Sequence, residues 1–416
     1  MKIAVLGLGF VGLTTALGFA EKGFDVAGFD IDLERTNKIT EGVIPFLEPG
    51  LDSALKRTLD IKFTVVSSAV KAAEHADCIF FCVGTPCGSE GKVDVRYLLS
   101  AIDSVIGTID PNCVLVVKST IPPGTTVNAV LPYFRSKGFS GSIVVNPEFL
   151  REGYCWTDFI NPDRIVCGCV ENDTHAVSLL TELYAPFNTL VHFVSPNTAE
   201  FIKYLSNSLL ASLISFSNEM ALIAEAAGDI NIAKAFKILH QDKRLNGEGI
   251  SHYIYPGCGY GGYCLPKDTV ALSANAKANG FVPHILDSVI SLNEEISCLT
   301  AVKIESVAGS KDAKIGILGL SFKPNSDDVR DSPAAKIIDS LLKDGYRNIY
   351  AYDPAAIDNF GKIYAYDLIY CESKDILCME CDIIALVTSW KEFSDCNWLY
   401  STKKWIDCRY FWEQGV

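Results

Sequence analysis

Residues 2–10, KIAVLGLGF, and residues 314–322, KIGILGLSF, agree at six of nine positions. Each is a short apolar run ending in glycine, and each is followed by alternating strand-like and helix-like segments. A chain that uses the same unit near both ends is committed to the α/β class, with two doubly wound, Rossmann-like units. Nine residues occurring twice do not make a solenoid. A length of 416 residues suits two or three domains, and with 49% hydrophobic residues large cores are easily buried.

The stretch between the two copies has another texture. From Thr198 to Ala227 there is neither glycine nor proline, and apolar residues recur at helical spacing. Pro196 precedes it, Asn197 is placed to cap it, and Glu200 stands three residues on, the spacing of a capping box; Gly228 can end it. A helix of about 30 residues spans roughly 45 Å. That reach suits a domain link or a dimer seam better than one small core, although two shorter helices would satisfy the same pattern. The expected domains are 1–193 and 306–416, both Rossmann-like, around a central helical domain 194–305.

Gly7-Leu8-Gly9-Phe10-Val11-Gly12 directly follows the first strand and opens a helical run. In GxGxxG the first glycine makes the tight turn, the second admits a pyrophosphate, and the third lets helix and strand approach. A second strand, FDVAGFD, ends in Asp30, which can accept both hydroxyls of an adenosine ribose and would repel a 2′-phosphate. Arg35 could favour that phosphate, or pack on adenine instead. The reading is therefore NAD over NADP, with glycines that serve only the turn as the plain alternative. In the second copy Ser321 replaces the middle glycine and no third follows, so a dinucleotide is not expected there. A nucleotide across the strand ends remains open, with Lys323 as a phosphate contact.

GCGYGGYCLPKD, residues 257–268, places four glycines ahead of Cys264. Pro266 suits a first helical turn, so Cys264 should lie just ahead of a helix N-terminus. The helix dipole and Lys267 would both favour a thiolate there, and the glycines would clear an approach for a bulky ligand. Cys258, inside the glycine run, gains less. The plain alternative is a small core cysteine. Lys203 and Asn207, four apart, share a helix face that could simply be solvated. Thr120 and Glu148 each follow an apolar strand, where α/β sites collect. Cys378 and Cys381 have a metal-like spacing without a second pair, so no metal is expected.

The formal charge of −14 disfavours nucleic-acid or anionic-membrane partners. No uninterrupted apolar run reaches the length of a membrane helix, and no signal-peptide pattern opens the chain. Fifteen cysteines without a framework read as reduced thiols, and a cytoplasmic location is expected.

Taken together these residues resemble the nucleotide-sugar dehydrogenases, the UDP-glucose/GDP-mannose dehydrogenase family. The likeness runs through GLGFVGL at 7–13, VGTP at 83–86, KSTIPPGT at 118–125, NPEFLREG at 146–153 and NPDRIV at 161–166. It continues through Lys203 and Asn207, GCGYGGYCLPKD, and GLSFKPNSDDVRDSP at 319–333. The resemblance implies two NAD⁺-dependent oxidations of a sugar C6 alcohol to a carboxylate through a thiohemiacetal and a thioester on Cys264. UDP-glucose is the favoured substrate, with GDP-mannose or another nucleotide sugar as the alternative.

It further implies that Lys203 and Asn207 stabilise an oxyanion, while Asp268, Thr120 and Glu148 position water and move protons. Gly7, Gly9, Phe10, Val11, Gly12, Asp30, Arg35, Thr85, Pro86, Thr120, Glu152, Lys267 and Arg330 would contact NAD. Glu148, Phe149, Leu150, Arg151, Glu152, Lys203, Asn207, Tyr253, Tyr255, Gly257, Lys323 and Arg409 would hold the substrate. Arg244 would reach into a second subunit's site, which implies a homodimer around the long helix. Two positions depart from the family pattern: Tyr263 stands where serine is usual, and Cys408 where glycine is usual.

Overall fold

The computed structural model describes residues 1–88, 90–245 and 250–412. It divides into two compact units, Met1–Leu205 and Ser206–Val416.

In the first unit the apolar runs form β1 (Lys2–Leu6), β2 (Asp25–Phe29), β3 (Phe63–Val65), β4 (Cys78–Phe81), β5 (Val114–Val117), β6 (Ile143–Val145), β7 (Ile165–Cys169) and β8 (Val191–Val194). They make one sheet in the order β3-β2-β1-β4-β5-β6-β7-β8. Every pairing is parallel except β6 with β7. The inner strands are buried on both faces, which is why β1 is apolar throughout from Ile3 to Leu6. Ile3 and Val5 enter one core with Phe19 and Phe80, whereas Ala4 and Leu6 enter another with Phe81 and Leu115.

The second unit repeats the plan with β9 (Ile315–Leu318), β10 (Ile349–Tyr352), β11 (Ile369–Tyr370), β12 (Ile383–Leu386) and β13 (Lys404–Asp407). This sheet is wholly parallel, in the order β11-β10-β9-β12-β13. The two copies of the nine-residue motif therefore supply β1 and β9, each in the middle of its sheet. Strand order reverses beside each of them, at the β1/β4 and β9/β12 edges, where α/β proteins bind ligands. The α/β, doubly Rossmann-like fold expected from the repeat is the fold observed.

The long helix is unbroken from Pro196 to Ala227, 32 residues, or about 48 Å. Gly228, at φ +74°, ends it as expected. Its start differs from the capping-box reading. Ser195, not Asn197, caps it: the Thr198 backbone N–H donates to Ser195 Oγ at 3.3 Å, and Pro196 takes the first turn, where a missing N–H does no harm. Glu200 turns away from the helix end to accept the backbone N–H groups of Gly124 and Thr126, at 2.6 and 2.8 Å. By length and composition this helix is long and apolar enough to cross a membrane. Glu200, Lys203 and Glu219 interrupt its apolar residues, and the first two are buried in the protein.

Candidate functional site

The loop after β1 is built as a cradle. Gly7 has φ +93°, and a Cβ there would lie 2.7 Å from the Cys82 carbonyl oxygen. A Cβ on Gly12 would lie 1.7 Å from the Gly7 carbonyl oxygen, so only glycine lets helix Phe10–Glu21 start this close to the strand. A Cβ on Gly9 would meet nothing within 4 Å. Turn, helix approach and open space thus fall on the three glycines in the way a bound pyrophosphate requires, with the helix N-terminus behind it.

Asp30, just past β2, accepts the Leu8 N–H at 2.6 Å and is paired with Arg35 at 2.9 Å. Arg35 also lies 3.3 Å from Asp32. Its charge is shared between two carboxylates rather than left for a 2′-phosphate. The residues present fit NAD.

The loop after β9 starts in the same way and then closes on itself. Gly319 has φ +94°, with Thr388 2.4 Å from where a Cβ would be, and Asp353 accepts the Leu320 N–H at 2.8 Å. Asp353 also accepts the Ser321 N–H and hydroxyl at 3.0 and 2.9 Å, and the Trp390 indole N–H at 3.1 Å. Its other oxygen takes the Ala355 and Ala356 N–H groups, both at 2.9 Å. No helix begins until Pro333–Lys343, capped by Ser332. Lys323 lies over the Phe322 ring at 5.3 Å.

At the strand ends of the first unit, Thr85 donates through its hydroxyl to the Thr120 carbonyl at 2.8 Å, tying the segments after β4 and β5 together, with Pro86 next in the chain. Glu148 follows β6 and is ion-paired with Lys203 at 2.8 Å; the two side chains are 7% and 5% exposed. The Leu150 N–H donates to the other Glu148 oxygen at 2.6 Å. Phe149 lies under the Arg164 guanidinium at 4.1 Å. Arg151 grips Asp158 through Nε and a terminal nitrogen, at 3.0 and 2.6 Å, and Glu152 is half-buried beside it.

Two groups escaped the sequence reading. Lys118 is buried and donates to Asn146 Oδ1 at 2.9 Å, and burial holds its ammonium below the usual lysine range. Glu48 is buried and accepts the N–H groups of Gly153 and Cys155, at 2.7 and 2.8 Å. The signal for Lys118 was available, a charge closing the apolar run VLVVK.

In the second unit Cys264 is exposed, whereas Cys258 is wholly buried and its thiol is pushed up by burial. Cys264 is the first residue of helix Cys264–Ala278, not the residue ahead of it. Asp268, 1% exposed, accepts Asn207 Nδ2 at 2.6 Å and is paired with Lys267 at 2.5 Å. Burial opposes the Lys267 charge, but the adjoining carboxylate outweighs it and raises its pKa.

The glycines ahead of Cys264 let their loop pack closely on later parts of the chain. A Cβ on Gly261 would lie 2.3 Å from the Asp331 carbonyl oxygen, and one on Gly262 2.8 Å from the Phe322 ring. At Gly259 it would meet Asn293 and Ile296, both at 3.1 Å, and at Gly257 the Arg409 guanidinium at 2.7 Å.

Arg409 is threaded through the same region, donating to the Val387 carbonyl at 2.6 Å and the Gly259 carbonyl at 3.3 Å. Cys408 is buried beside it. The Tyr255 hydroxyl donates to the Tyr410 carbonyl at 3.3 Å, and Tyr253 is half-buried nearby in the chain. Arg244 is 87% exposed and pairs with Asp242. Cys378 and Cys381 are both buried in the sheet core, and among the described residues no group of His, Cys, Asp or Glu could hold a metal ion.

A doubly Rossmann-like chain with this glycine cradle and acid belongs to the class of NAD-binding proteins. Three models of the UDP-glucose/GDP-mannose dehydrogenase family match the chain: the NAD-binding domain over residues 1–188, the central domain over 197–295 and the UDP-binding domain over 316–414. The UDP-glucose 6-dehydrogenase of Rickettsia conorii is 37% identical over 406 residues, covering 96% of this chain and 91% of that one. A UDP-glucose dehydrogenase structure from Pyrobaculum islandicum superposes with a TM-score of 0.92 at 34% identity, covering 99% and 95%. The GDP-mannose dehydrogenase of Pseudomonas aeruginosa gives 0.56 at 29% identity, covering 98% and 96%. The chain belongs to the UDP-glucose/GDP-mannose dehydrogenase family, and it is an NAD-dependent oxidoreductase acting on a nucleotide sugar.

Proposed function

We propose that this enzyme oxidises the C6 alcohol of UDP-glucose to the carboxylate of UDP-glucuronate, with two NAD⁺ consumed per sugar. NAD⁺ supplies the hydride acceptor in both oxidations. The first hydride leaves C6 of the alcohol, giving an aldehyde. The Cys264 thiolate adds to that carbonyl to form a thiohemiacetal, which loses the second hydride and its hydroxyl proton to become a thioester. Water cleaves the C–S bond, supplies the second carboxylate oxygen and returns the thiol. Covalent attachment divides a difficult four-electron change into steps that one site can manage.

The observation that carries this reading is the setting of Cys264: exposed, first in its helix, and four residues from a buried Asp268 held by Asn207 and Lys267. The helix N-terminus favours the thiolate. Lys203 and Asn207 would stabilise the oxyanion at C6. Thr120, Glu148 and Asp268 would place water and carry protons. Arg409, Lys323, Tyr253, Tyr255 and Gly257 would hold the UDP-sugar, together with Phe149, Leu150, Arg151 and Glu152. Gly7, Gly9, Phe10, Val11, Gly12, Asp30, Arg35, Thr85, Pro86, Glu152, Lys267 and Arg330 would contact NAD.

UDP-glucose is preferred to GDP-mannose on similarity, with 37% identity to a UDP-glucose 6-dehydrogenase and a TM-score of 0.92 against 0.56. A homodimer around the long helix is part of the same reading. Its support is a stripe of exposed apolar side chains on that helix, Phe201, Leu205, Leu209, Phe216 and Ile223, with the exposed Arg244 reaching the partner's site. The cytoplasm and a three-part division at 193 and 305 complete the proposal.

Replacing Cys264 by serine tests it. Turnover of UDP-glucose should fall at least about a thousandfold, since an alcohol in place of a thiolate is a poor nucleophile and its ester a poor acyl carrier. Undiminished turnover would overturn the covalent mechanism.

A further inference from the structure

Three charged side chains are buried in the first unit: Lys118, Glu148 and Lys203, at 5, 7 and 4% exposed. Glu148 and Lys203 are an ion pair at 2.8 Å, and Lys118 is within electrostatic reach of both. Lys118 directly follows β5, where the packing of Val114–Val117 gives no reason for a charge. Its ammonium donates to Asn146 Oδ1 at 2.9 Å and to the Asn146 carbonyl at 3.4 Å, two neutral oxygens. The Tyr184 hydroxyl donates to the same Oδ1 at 2.6 Å, and Asn146 Nδ2 donates to the Val166 carbonyl at 2.8 Å. One amide therefore ties the end of β5 to the end of β6, to β7 and to helix Thr174–Tyr184, just ahead of Glu148.

The other titratable groups around Lys118 carry no charge. Burial pushes the Cys82 thiol up to about 12, and it raises the Cys167 thiol and the Tyr184 phenol well above their ordinary ranges. Burial also holds Lys118 below the usual lysine range, with Glu148 favouring its charge and Lys203 opposing it. The cluster is thus two ammonium groups around one carboxylate. An unneutralised buried cation costs stability, so packing alone does not account for it. Its place does: buried charges at the carboxyl ends of parallel strands are where α/β sites form. Cys82, which follows β4, joins the cluster to the glycine cradle. A Cβ on Gly7 would lie 2.7 Å from its carbonyl oxygen, and one on Gly12 3.0 Å from its own Cβ.

We propose that Lys118 is a positioning residue for the oxidation, a second cation behind the Glu148–Lys203 pair. Glu148 can neutralise one ammonium, and the pair by itself has no net charge. Lys118 leaves the cluster with one positive charge in excess. In a buried site that charge is weakly screened, and it favours an anion forming next to Lys203. Lys118 need not touch the sugar; it acts through Glu148 and Lys203, and through Asn146 it holds the segment that carries Glu148. This inference rests on the proposed role of Lys203 at the oxyanion, and the residues it invokes all lie in Met1–Leu205.

The test compares Lys118→Met with Tyr184→Phe and Lys203→Met in the full-length protein. Methionine keeps most of the length of lysine and drops its charge, whereas phenylalanine removes the other donor to Asn146 Oδ1 and keeps the charge. In Lys118→Met, kcat should fall roughly ten- to a hundredfold, less than the loss of a direct oxyanion donor. KM for the sugar nucleotide and the NAD⁺ dissociation constant should stay unchanged. The melting temperature should not fall, because a buried charge is gone and Asn146 Oδ1 keeps the Tyr184 hydroxyl. Tyr184→Phe should retain the wild-type kcat, and Lys203→Met should lose more than Lys118→Met. Should methionine fail to fold, Lys118→Gln, neutral but still a donor, is read in the same way.

Undiminished kcat in Lys118→Met would overturn the proposal, as would a higher KM at constant kcat. An equal loss of kcat in Tyr184→Phe would also overturn it, and would assign the effect to the orientation of Asn146 rather than to charge. Full activity in Lys203→Met would sink the oxyanion reading itself, whereas full activity in Lys118→Met alone would sink only this inference. Turnover is followed with both UDP-glucose and GDP-mannose. A protein that oxidises only the second and shows the same losses would change the substrate and leave the role of Lys118 standing.

Discussion

At Gly7 and Gly319 the chain performs the same manoeuvre twice. The φ angles are +93° and +94°, the next N–H donates to an acid just past the second strand of its sheet, and each glycine presses on backbone following the strand across the switch point. Beyond that point the copies part. In the first unit Gly9 leaves open space and a helix begins at once; in the second, Ser321 fills the corresponding place and bonds Asp353, and Trp390 closes over both. The shared part sets the fold. The part that differs decides whether the loop can receive a dinucleotide, and one glycine-to-serine difference marks the parting. A fold can be repeated without its ligand site being repeated.

The sharpest way to break this contrast is Gly12→Ala. The new methyl would fall 1.7 Å from the Gly7 carbonyl oxygen, so strand and helix must separate. We expect a stability loss of about 3 kcal/mol by denaturant titration and no measurable NAD⁺ binding. Retained binding would mean that the helix does not sit behind the cofactor.

Next in size is a pair of acid-to-amide changes. Asp353→Asn should cost about 2 kcal/mol, because one of its oxygens would be replaced by a donor facing other donors, and should leave NAD⁺ affinity untouched. Asp30→Asn should weaken NAD⁺ roughly tenfold, the loss of one charge-assisted hydrogen bond. If Asp353→Asn weakened NAD⁺ as much as Asp30→Asn does, the two loops would not have separate roles.

The smallest effect is expected of Ser321→Gly, which restores the missing loop glycine. It removes the hydroxyl bond to Asp353 and should cost about 1 kcal/mol. NAD⁺ stoichiometry by calorimetry should stay at one per chain, since Asp353 remains occupied by backbone N–H groups and Trp390. A second site would show that serine alone had closed the loop.

Much of this was legible in the sequence. Six shared positions in nine placed both central strands, and glycine spacing with Asp30 identified the dinucleotide loop, because those features act over a few residues. Cys264 stood out from Cys258 by the proline and lysine that follow it. What stayed hidden depends on partners far along the chain. Glu200 stood at capping-box spacing from Asn197, yet Ser195 caps the helix and Glu200 serves Gly124 and Thr126, over 70 residues away. The pairing of Lys203 with Glu148 bridges 55 positions, and no local pattern announces it. The four glycines before Cys264 also lie close against Asp331, Phe322, Asn293 and Arg409, all supplied by later parts of the chain, and that packing could not be read locally.

The central claim is that one enzyme carries the sugar through two oxidations, the second of them while the sugar is bound to a single cysteine. The direct test is the NADH yield from limiting UDP-glucose with excess NAD⁺ and no other acceptor. About two NADH per sugar is the result predicted by the covalent route. A yield of one would mean that the reaction stops at the aldehyde, and would contradict the role of Cys264 as the covalent nucleophile.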